Sequence, residues 1–394
     1  QQIKRRPKSP FRTSVLMQQA SAKFGFNPKE TMRCAQSLFA GKDGGDGLIT
    51  YMRTDSIEID AAKLPIIQQK IVALYGEAFL ERRKFKNKKA AINIQEAHGA
   101  ITPTDINLLP SALKTRLSDN EFKLYSLIWE RTMASQMKDA IFERTTIEFV
   151  PNNAPDLASF SFSDQELLFP GYLLVTKEEV RDLKPPNIKE GDVVDFLSLT
   201  KEQHFTDPPP RYNDASMIKT LEEKGIGRPS TYAGILSRLA EREYIIAKQK
   251  RYEPSDMGRL VSDFLNTSFT DYISDEFTSN MENDLDAISN GSKSKKEVLD
   301  LFWSPLEEAV ATTGEQVTRR DVNPQRLLGT DPETNKPIFA RMTKNGPAVQ
   351  RGDIDAGDTP EWGGLKEGQK LYSITLEEAL SLFKTADNVL GTHP

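Results

Sequence analysis

Apolar positions recur at helical spacing through FNPKETMRCAQSLFAGKDGGDG (26–47), where Met32, Cys34, Ala35, Leu38 and Phe39 supply the buried faces. Asn27 suits the N-cap, Pro28 the first helical position and Glu30 the third, and Gly41 ends the helix. The glycine-rich loop then runs into LITYMRT (48–54), whose β-branched and aromatic content predicts a short strand. Helical spacing returns in AAKLPIIQQKIVALYGEAF (61–79) and DNEFKLYSLIWERTMASQMKDA (119–140), interrupted by INIQEAHGAITPTDI (92–106).

From 147 to 199 the rhythm changes to alternation, as in DLASFSFSDQELLFPGYLLV (156–175) and GDVVDFLSL (191–199), predicting a β-rich unit. The proline run TDPPPRY (206–212) reads as a linker or extended rim. Two helices joined by a glycine turn and followed by a hairpin near 248–251 then give a winged-helix outline. Helix Tyr232, Ile235, Leu236 and Leu239 keep core spacing. LLGTDP (327–332) recurs as VLGTHP (389–394), so tandem small domains are expected, the second copy only beginning.

The length of 394 residues predicts several domains. No apolar run approaches the ~18 residues of a membrane helix. The single cysteine, Cys34, excludes an internal disulfide and a multi-cysteine zinc site, and predicts a reducing, intracellular setting. The start QQIKRRPKSPF lacks the apolar stretch of a secretory signal and reads as the middle of a longer protein. A net charge of −5 exerts no global pull toward nucleic acid, so such binding would be local. Basic residues cluster at 4–12 and 82–89, acidic ones at 271–286; taken alone, such runs are better explained as solvated faces or flexible loops.

On a strand, Tyr51 and Arg53 would share a face, with Asp55 beyond them. A guanidinium favours a neighbouring phenolate and stabilises charge on a phosphoryl group under attack. A phosphotyrosine ester formed in this way can be reversed by a sugar hydroxyl without an external energy source. By itself the Tyr-x-Arg spacing is common on exposed strands.

The longer strings carry more. GLITYMRTDS (47–56) resembles the catalytic-tyrosine motif of the bacterial type IA DNA topoisomerases, and QEAHGAITPTDI (95–106) is similar to that family's histidine segment. QHFTDPPPRYNDASMIKTLEEKGIGRPSTYAGIL (203–236) resembles its proline-led segment and helix pair, and the strings stand in family order within a weaker likeness over 11–308. The resemblance implies that Tyr51 is the nucleophile taking the 5′-phosphate of a cut strand and Arg53 its electrostatic partner. It further implies that His98 contacts a backbone phosphate and that Arg228, Ser230 and Thr231 hold single-stranded DNA, as hydroxyls at a helix start can. Capping of that helix is the plainer role for the last three. Gly99 and Thr102 stand where the family commonly has an acid and an arginine, so one expected phosphate contact is missing.

What the resemblance implies for the whole is a multidomain α+β protein: 1–10 ending an arch segment, a mainly helical tyrosine-bearing domain at 11–138, and a β-rich arch at 139–205. A winged-helix-like DNA-binding domain at 206–315, a zinc-free C-terminal repeat at 320–388 and the start of a second at 389–394 follow. The tail strings KPIFARMTKNGPAVQRGD and WGGLKEGQKLYSITLEEALSLF resemble those repeats, where Phe339 and Trp362 near Arg341, Lys344 and Arg351 could stack on and pair with DNA. The implied activity is relaxation of negatively supercoiled DNA without ATP, by a monomeric, cytoplasmic, nucleoid-associated isomerase. Its Mg²⁺ would sit in an N-terminal Toprim module that this sequence does not contain; DIDAGD (353–358) and KDGGDG (42–47) are weak substitutes, and no metal ligand is assigned here. The rival reading is a non-catalytic single-stranded DNA-binding module, inactive in cleavage without that module.

Overall fold

The computed structural model describes residues 1–41, 45–87, 98–152, 159–180, 182–323 and 325–383. Its architecture is α+β, in two units: Gln1–Glu222 with Arg228–Gly234, and Glu223–Gly227 with Ile235–Pro394.

The first unit opens with β1 (Gln2–Arg5), α1 (Thr13–Phe24) and α2 (Pro28–Ala40). The sequence rules hold at α2: the Asn27 side chain accepts from the Glu30 N–H at 2.8 Å, Pro28 takes the first turn, and Gly41 leaves the helix at φ 76°. Next come α3 (Leu64–Tyr75), the one-turn α4 (Pro110–Leu113) and α5 (Asp119–Ser135), the last started by a reciprocal Ser118–Glu121 capping box. Phe11, Leu16, Leu38, Met52, Ile71, Ile101 and Leu124 fill the core between them. Two α5 aromatics fix the polypeptide that crosses this core: Tyr125 Oη donates to the Leu108 carbonyl at 2.7 Å and Trp129 Nε1 to that of Ile106 at 3.0 Å.

Two long strands, β2 (Ala140–Phe149) and β3 (Phe160–Phe169), pair antiparallel, with β1 on the other side of β2 in register Ile3↔Phe142. The strand predicted for 191–199 does not form. Those residues have no regular structure, with Val193 78% and Leu197 92% exposed, because none of the described strands pairs with them. After the one-turn α6 (Leu173–Thr176), the helix pair α7 (Asp214–Glu223) and α8 (Tyr232–Glu241) forms as predicted, with Gly225 and Gly227 in the left-handed region at φ 70° and 78°. Tyr232 and Leu236 are buried, and Ile235 and Leu239 partly so.

In the second unit β4 (Ile245–Lys248) and β5 (Arg251–Pro254) make a two-residue hairpin, Gln249 and Lys250 both taking positive φ, as its twist requires. Helices α9 (Asp256–Ser268), α10 (Thr270–Ile273), α11 (Asp275–Ser289), α12 (Lys295–Gln316) and α13 (Arg319–Val322) follow. Then comes a four-stranded antiparallel sheet, β6 (Arg326–Thr330), β7 (Pro337–Thr343), β8 (Gly346–Arg351) and β9 (Glu361–Gly364), ending in α14 (Leu376–Phe383). Ile338, Ala340, Met342 and Val349 turn inward onto Ile374 and Ala379. On the opposite face Leu327, Phe339, Gln350 and Trp362 lie in one cross-strand row. The second repeat copy, 389–394, lies outside the described residues. Among the described residues no helix is long and apolar enough to cross a membrane.

On α2, Glu30 receives Arg33 at 2.9 and 2.7 Å and Asn120 of α5 at 2.8 Å. These bonds, Arg33's first, hold its carboxyl at about 2 against an ordinary 4.5. The folded value lies below the unfolded one, so the stabilisation is full above about pH 4.5 and is lost as pH falls toward about 2. Glu30→Gln should therefore be less stable than the unmodified chain at pH 7 and converge with it near pH 2, as read by urea unfolding across that window.

Candidate active site

The segment carrying Tyr51 is held without a β ladder. Outside one bridge between Ile49 and Pro103, residues 48–54 form no strand, contrary to the sequence expectation. The reason is visible in the hydrogen bonds, because threonine hydroxyls take the places that a neighbouring strand would fill. Thr13 Oγ1 donates toward the Met52 and Thr54 carbonyls, at 2.7 and 3.0 Å, and accepts from the Thr54 N–H at 2.8 Å. Thr50 Oγ1 donates to the Ala100 carbonyl at 2.9 Å and accepts from the Thr102 N–H at 2.9 Å, while the Thr50 N–H reaches the Thr102 carbonyl at 2.8 Å. Thr54 Oγ1 donates to the His98 carbonyl at 3.2 Å. Upstream, Gly47 passes so close to α2 that a Cβ there would sit 2.1 Å from the Phe39 carbonyl oxygen.

The two-residue alternation survives even so. Met52, Thr54 and Ser56 are buried, and Tyr51, Arg53 and Asp55 are not. Tyr51 is half-buried between two rings: Phe39 edge-on at 5.4 Å and the His98 imidazole at 4.7 Å, tilted by 46°. The structure thus brings Tyr51 and His98 together across 46 intervening residues, partly through the Thr54–His98 bond. Residues 95–97 of the histidine segment lie outside the described residues. Arg53 is exposed and, among the described residues, holds no hydrogen bond or ion pair.

The GRPST turn is built by capping. Thr231 Oγ1 accepts from the Arg228 N–H at 2.8 Å, and the Thr231 N–H donates to the Arg228 carbonyl at 2.8 Å. Its hydroxyl is thereby engaged within the turn, whereas Ser230 is exposed and Arg228 partly so. Tyr232, buried behind the turn, has its phenol pushed well above the ordinary range, first by burial and then by the Asp55 and Glu222 carboxylates. Arg351, one of the tail residues that could face DNA, is instead locked in place: it pairs with Asp331 and Glu361, each at 3.0 Å, and its guanidinium covers Phe383 at 4.4 Å.

Sequence reasoning missed Phe39, Thr13 and the carboxylate of Glu222. Thr13 and Phe39 lie outside the motif strings and Glu222 reads as an ordinary helix acid, so nothing local marked them; only the threonines within the strings, Thr50 and Thr54, signalled side chains able to bond backbone. Among the described residues no group of three His, Cys, Asp or Glu is arranged to hold a metal ion. The acids of DIDAGD close their own turn, Asp358 accepting from the Asp353 N–H and Asp353 from that of Asp355, both at 2.9 Å. KDGGDG falls partly outside the described residues. The DIDAGD carboxylates Asp353 and Asp358 are thus engaged in closing their own turn rather than converging on a cation.

A half-buried phenol tilted against an imidazole, with an exposed guanidinium two residues on, is suited to attack on a phosphodiester. Residues 1–300 match the DNA topoisomerase family, and the chain belongs to that family. It is 40% identical to DNA topoisomerase 1 of Xylella fastidiosa over 98% of this chain and 49% of the relative. To DNA topoisomerase 1 of Rickettsia felis it is 41% identical, over 80% of this chain and 42% of the relative. The solved full-length topoisomerase I of Thermotoga maritima superposes with a TM-score of 0.74 at 30% identity, covering 93% of this chain and 60% of that one. The chain spans about half the length of the curated relatives that it matches.

Thr13→Val removes buried bonds to both flanks of Arg53 and leaves the Thr54 N–H unpaired, so it should cost about 1–3 kcal/mol. Thr13→Ser keeps the hydroxyl and should recover most of that stability; urea unfolding of the three proteins decides.

Proposed function

We propose that this chain is the tyrosine-bearing part of a type IA DNA topoisomerase that opens one DNA strand, passes another and reseals the first, relaxing negative supercoils without ATP. The observation that carries the reading is the Tyr51–His98 ring contact in a chain of the DNA topoisomerase family. In the forward step the Tyr51 oxygen bonds to phosphorus, the bond from phosphorus to the 3′-oxygen breaks, and the 3′-hydroxyl leaves with a proton. Resealing is the reverse, so the bond energy is kept in the phosphotyrosine ester. Arg53 meets the charge developing on the phosphoryl oxygens, and His98 contacts a neighbouring phosphate.

Arg228 and Ser230 hold the single strand; Thr231 shapes the turn that presents them. In this reading 11–138 is the tyrosine domain, 139–205 the arch whose bending opens the gate, 206–315 a winged-helix-like DNA-binding domain and 320–388 a repeat. The sheet row bearing Phe339 and Trp362 (46% exposed) is a stacking surface for unpaired bases, flanked by Arg341 and Lys344. The Mg²⁺ of the family belongs to a module outside this chain, and no step here runs through it. The working protein is a monomeric, cytoplasmic, nucleoid-associated isomerase.

The test is covalent capture on a labelled single-stranded oligonucleotide, with Mg²⁺ and the half of the Xylella fastidiosa relative that this chain does not cover supplied in trans. A denaturation-resistant adduct is expected, absent in Tyr51→Phe and reduced at least tenfold, on the order expected for one electrostatic contact, in Arg53→Ala. Salt-sensitive binding with no adduct would instead support a DNA-binding module without cleavage activity.

A further inference from the structure

Arg12, Thr13 and Ser14 work in two directions from the start of α1. Thr13 grips the backbone on both sides of Arg53. Its neighbours grip α7 instead: Arg12 Nε donates to Glu222 Oε1 at 2.7 Å, and Ser14 Oγ donates to the same oxygen at 2.5 Å. Arg12 Nε also reaches Ser14 Oγ at 3.2 Å, closing a ring of hydrogen bonds.

The pair is sheltered. Ser14 is fully buried, and the side chains of Arg12 and Glu222 are 34% and 20% exposed, against 85% and 60% for the surface pair Lys296–Asp300. Partial desolvation makes such a pair stronger and more geometrically exacting than one in open solvent. Behind it lies Tyr232, whose buried phenol feels Asp55 of the tyrosine segment, Arg12, Glu222 and Arg228 of the GRPST turn together. Three stretches distant in sequence, 12–14, Asp55 and 222–232, therefore converge here.

We propose that Arg12, Ser14 and Glu222 form a latch that positions the GRPST turn relative to the tyrosine segment, so that one single strand of DNA meets both at a fixed spacing. The inference rests on the DNA reading above. Glu222 is a positioning residue that touches no nucleotide. Two subsites held rigidly add their affinities along one strand; once one can drift, the second contact is made only at the effective concentration that a loose tether allows.

The experiment compares the unmodified chain, Arg12→Ala, Glu222→Ala and the double exchange Arg12→Glu with Glu222→Arg, each first checked for an intact thermal unfolding transition. Fluorescence anisotropy measures binding of oligonucleotides of about 4 and about 16 bases, the range of single-strand site sizes. Each single variant should lose about tenfold on the long strand and nothing on the short one, and the double exchange should restore the loss. Unchanged long-strand binding would overturn the latch; so would an equal loss on both lengths, which marks a direct DNA contact.

A second arm needs no DNA. Trypsin cleavage after Lys224 should accelerate severalfold in the single variants and slow again in the double exchange, because the end of α7 opens more often when the latch is broken. If the unmodified chain binds neither oligonucleotide, the DNA reading fails, and the proteolysis rates alone decide the latch. Equal cleavage rates in all four proteins would sink it.

Discussion

One buried hydroxyl, that of Thr13, does the work of a missing β-strand. It satisfies the polypeptide on either side of Arg53 at the point where α1 begins, with Ile49 and Met52 anchored in the core beneath. Burying backbone without partners is expensive, so a chain crossing a core in irregular form needs substitutes for a ladder. The hydroxyls of Thr13, Thr50 and Thr54 are those substitutes. A short side chain bonded to the backbone locks its own rotamer and its neighbour's carbonyl at once, which gives the segment a fixed course without edge-to-edge pairing. The outward side chains are then set by alternation, and the outward side chains are the ones with chemistry.

The same threonine joins two halves of the proposed function. Through Met52 and Thr54 it fixes where the phenol stands; through the flanking Arg12 and Ser14 it is one residue away from the carboxylate that orients the helix pair. Nucleophilic attack on a phosphodiester tolerates little misplacement, since a reacting atom must approach phosphorus in line with the leaving oxygen. In the proposed reaction a core that specifies the nucleophile's backbone to this degree contributes to rate as well as to stability.

Local chemistry was readable in the sequence where one residue decides the outcome. Asn27, Pro28 and Gly41 bound α2, and the glycines of GIGRPST permit the turn between α7 and α8. The motif strings singled out Tyr51 and His98, and their ring contact is what the structure adds. Less was legible where the partner is remote. LITYMRT has strand propensity, yet its hydrogen bonds run to a hydroxyl at a helix start and, through its own Thr50 and Thr54, to the backbone of a distant loop, which no local pattern records. GDVVDFLSL alternates like a strand and remains exposed, since alternation describes a surface for pairing and not the presence of a mate. Arg351 stood among the tail residues that the resemblance to the repeats offered to DNA, but Asp331 and Glu361, remote in sequence, hold it.

The most direct test of the central claim is residue-resolved amide hydrogen exchange of the native chain, read at Thr50, Thr54 and Thr102. All three N–H groups should exchange as slowly as the amides of α5, although none belongs to a strand or helix, because their partners open only with the core. Exchange of Thr54 at the rate of an exposed loop would contradict the account: the tyrosine segment would then be loosely tethered, and no fixed geometry at Tyr51 could be argued from it.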